Sequence, residues 1–403
     1  MQEQALRKIL LIQAIEETDR NGEALPLAER VEATRKAIGN NPPNIEPQAG
    51  APLSSATEWF LVRRADTLLE ALRTRSPGID HVLDAAGGAT SLDRGMLVLA
   101  FVLGAILCFT DAARGGINIF AVPLLLLLAW NFLVYVFLGI RVSKTRIETT
   151  AFAAGSAAAS GAGASTSIAI GSASAGQGGP DASNVGPRTP GPTPTGNVGP
   201  GAIGMSSIRP SWIGRFYARS VRRRIDNLLS HSTHFNAPLT PGLRRFASDW
   251  WDFAQPLFYA RSRRLMHLSA LFAALGLVAA YYFRDFVLRS AAGWEGGGAL
   301  GPETAHALLT VLYGPASLLS GITIPNSEEI AKLRWSAPSL SGVGEPIAWV
   351  HLIALTAALY IILPRLILTL CATLRLWRIS RRLVLPAGVA GYVRTLIAAA
   401  RNT

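Results

Sequence analysis

Residues 95–140 read GMLVLAFVLGAILCFT (95–110), DAARGG (111–116) and INIFAVPLLLLLAWNFLVYVFLGI (117–140). Two apolar runs are thus separated by six residues that carry Asp111 and Arg114. A helix rises about 1.5 Å per residue, so roughly 20 apolar residues cross the hydrocarbon core of a bilayer. The second run meets that length. The first has only 15 uncharged residues (96–110) and needs Gly95, Ala112 and Ala113 to reach both interfaces. Alone, so short a run also fits a buried core helix. The partner run that follows it directly favours a transmembrane hairpin.

The other apolar residues cluster at 265–283 and 346–374, with ordinary polar stretches between them. Half of the 403 residues are hydrophobic, and their clustering rather than their number gives the class. The expectation is an all-α integral membrane protein with four transmembrane helices and cytoplasmic helical segments. Its parts are an N-terminal helical segment (1–94), the hairpin (95–140), a linker (141–207), a basic amphipathic segment (208–264), a third span (265–283), a periplasmic loop (284–345), a fourth span (346–374) and a basic tail (375–403).

The net charge is +12, and the excess is mostly arginine placed just beyond the apolar runs. That placement favours the positive-inside rule and anionic lipid headgroups over nucleic acid. Arg94, Arg141, Lys144, Arg146, Arg261, Arg263, Arg264, Arg375, Arg378, Arg381 and Arg382 fall on one side of the spans. Arg114, Arg284, Arg289, Lys332 and Arg334 fall on the other. Both termini and residues 141–264 are therefore read as cytoplasmic. The first 20 residues include acids and lack the pattern of a secretory signal.

Within residues 1–94, Leu6, Ile9, Leu10 and the run from Ile12 recur at helical spacing, and residues 25–38 suit a second helix. Asn40-Asn41-Pro42-Pro43 opens a loop. Ser55-Ala56-Thr57-Glu58 resembles a capping box for a helix to about Arg75, with Trp59, Phe60, Leu69 and Leu72 on its buried side. Residues 151–207 are nearly all Ala, Gly, Ser, Thr, Pro and Asn, a composition that cannot bury enough apolar surface to fold. The GxGxxG match at 199–204 sits in this Pro/Gly-rich tract with no strand before it, so it is read as coincidence.

Residues 208–264 hold 11 arginines against Asp226, Asp249 and Asp252. Trp212, Ile213, Phe216, Tyr217, Val221, Ile225, Leu228 and Leu229 share one helical face, and Arg215, Arg219, Arg222 and Arg223 lie mostly off it. Two readings fit: an interfacial helix lying on anionic lipid, or a helix packed on residues 1–94. His231 and His234 have an i,i+3 spacing but no further ligand nearby, so they are read as loop residues. Beyond the third span, Pro302-Glu303 marks the start of an interfacial or re-entrant helix, with Gly314-Pro315 as a kink. Pro364-Arg365 interrupts the fourth span.

The runs YYFRDFVLRSAAGWE (281–295), ALLTVLYGPASLLSGITIPNSEEI (307–330) and LYIILPRLILTLCATLRLWRISRRL (359–383) carry a resemblance, as do WFLVRRADTLLEAL (59–72) and the start of the first span. Together they resemble a family of bacterial inner-membrane proteins that is catalogued as a domain of unknown function. Pro315, Pro325, Pro364 and Arg365 match it, and 150–207 looks longer than is usual there. The resemblance implies a multi-pass protein of the bacterial inner membrane, often encoded beside a GTP-binding protein, and carries over no catalytic residue.

No P-loop, HExxH, nucleophile elbow or intramembrane carboxylate pair is present, so no catalytic, metal or cofactor-binding residues are assigned. The sequence-level site is instead a lipid- or partner-binding set: Trp212, Arg215, Arg219, Arg222, Arg223, Arg375, Arg378, Arg381 and Arg382. Asn131 and Arg365 are the deep polar residues, Arg365 being read as an anchor that snorkels to the interface. The function expected is a scaffold or receptor for a soluble partner such as the GTP-binding protein. The alternative is a subunit of an oligomeric channel or transporter. Homo-oligomers suit either.

The charge asymmetry predicts that single cysteines placed near residues 180 and 300 behave oppositely toward an impermeant reagent. In intact cells the site near 300 should label and the site near 180 should not; the reverse would invert the topology.

Overall fold

The computed structural model describes residues 2–38, 55–88, 90–110, 116–140, 212–230, 237–288, 291–295, 300–335, 346–381, 383 and 387–401. The 141–207 linker with its GxGxxG match, His231, His234 and Arg382 lie outside the described residues. The chain divides into two units, residues 1–126 with 201–403, and residues 127–200.

The larger unit begins with α1 (Glu3–Thr18), α2 (Leu27–Ile38), α3 (Ser55–Arg75) and α4 (Ile79–Ala86). α1 buries Leu6, Ile9, Leu10, Leu11, Ile12, Ala14 and Ile15, while its charged residues, such as Arg7, Lys8 and Glu16, stay half-buried. Its end is fixed by Asp19, whose carboxylate accepts from the backbone N–H groups of Glu23 (2.8 Å), Ala24 (3.2 Å) and Leu25 (2.8 Å) and from Arg30 (2.7 Å). Burial opposes ionisation there, but the three N–H groups and the guanidinium outweigh it and hold the carboxyl below its ordinary range. On α3, Phe60, Leu69 and Leu72 are buried as expected. Trp59 is not: it is 55% exposed, with the Arg63 guanidinium over its ring at 4.9 Å. The inward stripe is centred on Phe60, Leu61, Leu68 and Leu72, and Trp59 lies one helical step off it.

α5 (Thr90–Phe109) leads to β1 (Ile117–Asn118) and to α6 (Val122–Ile140), which runs on into the second unit. α7 (Trp212–Ser230) precedes α8 (Thr240–Leu288), a helix of 49 residues and so roughly 70 Å long. The 208–264 segment and the third span are therefore not separate elements. The helix runs through Pro256 from one into the other. In its first half, Leu243, Phe246, Trp250, Ala254, Leu257 and Phe258 join the core built by α1, α3 and α4. In its second half it packs against α5, α11 (Pro346–Ala357) and α12 (Leu363–Arg381). α13 (Ala387–Arg401) returns to the same core through Val393, so part of the expected tail is folded.

The α5–α8 contact is set by glycine. A Cβ at Gly104 would overlap the Ala273 carbonyl, and one at Gly276 would overlap the Phe101 carbonyl. Such close backbone approach is how helices pack where water supplies no driving force. Cys108 and Ala280 extend the seam as small buried residues. The opposite face of α5 shows Val98, Leu99, Leu103 and Ile106, each more than half exposed.

At the far end, β1 pairs in parallel with β2 (Ala292–Gly293), and Trp294 bridges to Arg334. This small sheet is the one departure from an all-α chain among the described residues. α9 (Pro302–Ser320) starts at the expected proline, passes through Pro315 without ending, and stops at Gly321 in the left-handed region, φ +72°. Its Tyr313 donates to the Ile119 carbonyl (2.8 Å), and α10 (Ser327–Lys332) is capped by the Asn326–Glu329 box. Arg284, read from sequence as a span boundary, is 1% exposed. It donates to the carbonyl of Cys108 (3.2 Å), an orphan acceptor at the end of α5, and to that of Gly116 (2.7 Å), directly before β1.

Three stretches are long and apolar enough to cross a membrane: Val122–Ile140, Ala237–Val287 and Pro346–Arg381. α5, the expected first span, is not among them.

Gly104→Ala should lower thermal stability in detergent by an amount corresponding to about 1–3 kcal/mol, the ordinary cost of overpacking. Gly139→Ala, whose added Cβ would meet no described atom within 4 Å, should leave the melting temperature unchanged. Equal melting of both variants would remove the glycine seam as a constraint.

Candidate functional site

Two sites follow from the fold, one beside α7 and the first half of α8 and one inside the apolar bundle. On α7, Ile225 and Leu229 are 3% and 5% exposed and belong to the core with α4 and α8. Of the two readings of this face, packing on protein is the one seen for its second half. The side chains of Trp212 and Arg215 lie outside the described residues. Arg219, Arg222 and Arg223 are exposed, as sequence spacing requires once Ile225 and Leu229 point inward.

Between α7 and α8 lies a cleft of about 210 Å³, floored by Ile225, Leu229, Trp250 and Phe258 and rimmed by Arg222 and Arg244. Arg222 sits over the Trp251 ring at 5.8 Å and 3.8 Å from the Asp226 carboxylate. An apolar floor under a cationic rim suits the apolar anchor of an acidic partner. Arg375, Arg378 and Arg381 are also exposed, on α12, with Arg381 stacked over Trp377 at 4.3 Å. The two arginine groups stand on different helices that both pack against α8.

A polar cluster ties the first and last helices into this core. Arg64 donates to both Glu16 oxygens (2.6 and 3.2 Å), to Thr34 (2.9 Å) and to Tyr392 (2.8 Å). The Tyr392 hydroxyl in turn donates to Glu16 (2.5 Å). Burial pushes the Tyr392 phenol far above its ordinary value, so it remains a donor. The cluster ties α1, α2, α3 and α13 together, and a buried pair of this kind is costly to break.

Inside the bundle, Pro364 lacks an N–H and its ring would meet the carbonyl one turn back. The helix absorbs this with a π turn, Ala358–Ile362, in which the Leu363 N–H reaches the Ala358 carbonyl. The Pro346–Arg381 stretch is thus widened at this point rather than interrupted. Just past the turn, Arg365 does not snorkel. It is 1% exposed, and its guanidinium lies 3.1 Å from Nδ1 of His267 on α8, itself fully buried. An arginine only donates, so Nδ1 accepts and the ring proton is on Nε2. Nearer the far end of α8, the Tyr282 hydroxyl is 2.7 Å from Nδ1 of His351 on α11. Asn131 on α6 is 1% exposed and donates to the Leu127 carbonyl (2.7 Å) in its own helix.

His267 went unnoticed in the sequence. The available signal was a histidine two residues inside an apolar run entered through Arg263 and Arg264. Among the described residues, no three His, Cys, Asp or Glu side chains are grouped to hold a metal. No family model, curated protein or solved structure matches the chain.

Because α7 packs on protein, Ile225→Ala should destabilise the full-length protein by about 2–5 kcal/mol. The loss should be the same in neutral and in anionic bilayers. A loss confined to anionic bilayers would return this face to the lipid.

Proposed function

We propose that the chain is a non-enzymatic, multi-pass scaffold or receptor of the bacterial inner membrane. In this reading α5 joins the three long apolar stretches as a fourth span, and both termini face the cytoplasm. The soluble helices offer their arginine-rich surface and the α7–α8 cleft to a soluble partner. The partner class favoured by the family resemblance is a GTP-binding protein.

The observation that carries the reading is the continuity of α8. One helix contributes Trp250 and Phe258 to the soluble core, Gly276 to the apolar bundle and Arg284 to the link with β1. A rotation or shift of its far end is therefore conveyed to the cleft without passing through a loop. Anionic headgroups against the exposed arginines would add about 1 kcal/mol each, screened by salt.

The second reading is a subunit of an oligomeric channel or transporter. It draws on the buried His267–Arg365 pair, since ionisable side chains at membrane depth mark transport pathways as often as they mark structure. One comparison separates the two. Affinity purification from native membranes should retain the GTP-binding protein, and Arg222→Glu with Arg244→Glu should release it while the protein stays folded. Conductance in a planar bilayer with no retained partner would favour the pore.

A further inference from the structure

The cleft between α7 and α8 has a finished floor and an unfinished rim. Ile225, Leu229, Trp250 and Phe258 are each at most 5% exposed. The Trp250 indole N–H donates to the Ala86 carbonyl (2.9 Å), and its ring stacks on Phe246 at 6.4 Å. The floor is therefore apolar and already fixed in place. On the rim, Arg222 is shared between the Trp251 ring and the Asp226 carboxylate. Arg245 just outside it is paired with Glu17 (2.7 Å). Arg244 is exposed and, among the described residues, forms no ion pair. The rim thus carries two guanidinium groups against one carboxylate. An apolar cavity of about 150 Å³ takes one benzene. At about 210 Å³ the cleft takes one aromatic ring, and not the several anchors that a helix lays in a groove.

We infer that the cleft seats a single aromatic side chain from an acidic segment of a protein partner, with a neighbouring carboxylate on Arg244. This rests on the reading that the helices around α7 dock a partner, and adds what that partner must present. The volume sets one ring, the aromatic floor offers it stacked and edge contacts, and the unpaired guanidinium selects acid beside it. Because the floor is held by Ala86 and Phe246 before anything arrives, little ordering is left for the occupant to impose. One aromatic anchor ringed by polar contacts is the usual form of a binding hot spot. A phospholipid headgroup would answer the rim but bring no ring to the floor.

The test uses the full-length protein in a neutral detergent and the fluorine NMR line width of a blocked peptide, Asp-Asp-Phe-Asp-Asp, carrying para-fluorophenylalanine. The wild type should broaden the line, and the same peptide with lysine for aspartate should stay sharp. Ala247 lines the cleft and is half-buried, so Ala247→Leu fills apolar space without touching a charge. It should weaken binding about tenfold or more, the loss expected when a central anchor is excluded, with the melting temperature unchanged. Arg244→Gln changes only an exposed side chain, should weaken binding as well, and decides the matter if Ala247→Leu melts early. No broadening by the wild type, equal broadening of the lysine peptide, or wild-type affinity in either folded variant would overturn the inference. Displacement of the peptide by a low mole fraction of phosphatidylglycerol would overturn it too, by giving the cleft to a headgroup. If the peptide binds but no GTP-binding protein is retained from membranes, only that partner falls. A retained GTP-binding protein that Ala247→Leu does not release leaves the scaffold standing and removes this inference.

Discussion

The close approach of α5 and α8 at Gly104 and Gly276 is the constraint on which the rest depends. Two backbones that meet carbonyl to Cα admit no side chain between them, so the axial register of the two helices is set by the glycines. That register brings the end of α5 to Arg284, which accepts no substitute donor of equal reach for the carbonyls of Cys108 and Gly116. From there β1 is placed beside β2, and Trp294 and Tyr313 close the far end around it. A shift of one helical residue along the seam would lose these bonds together.

Among the described residues, three arginines are almost fully buried, and each is met differently. Arg64 is met by a carboxylate, a hydroxyl and a phenol in the soluble core. Arg284 is met by backbone carbonyls at a helix end. Arg365 lies against an imidazole nitrogen within the apolar bundle. The first two arrangements supply negative charge or helix-end dipole, and both read as structural locks. The third sets a guanidinium against an imidazole nitrogen on a neighbouring helix.

α8 gives mechanical meaning to the separation of these sites. Its first half is covered by α1 and α7, its second by α5 and α12, and no loop divides them. Both the α7–α8 cleft and His267 stand on this helix, so a change at one alters the packing surface that the other uses.

The sequence by itself determined a mostly helical chain and placed long apolar stretches within 117–140, 265–283 and 346–374, because helix length and apolar clustering are read locally. It also determined local helix starts, such as Ser55 and Pro302, which depend only on neighbours along the chain. Periodicity placed Phe60 and Leu72 inside but misassigned Trp59, since a stripe's edge is set by the neighbour it faces. It left open whether Ile225 and Leu229 meet lipid or protein, because both solvents of that face are apolar. It placed Arg284 and Arg365 at boundaries, where a long cation ordinarily goes. Only tertiary structure decided that both turn inward. Their partners, Cys108, Gly116 and His267, are about 100 or more residues away in the chain, and no local pattern encodes that meeting.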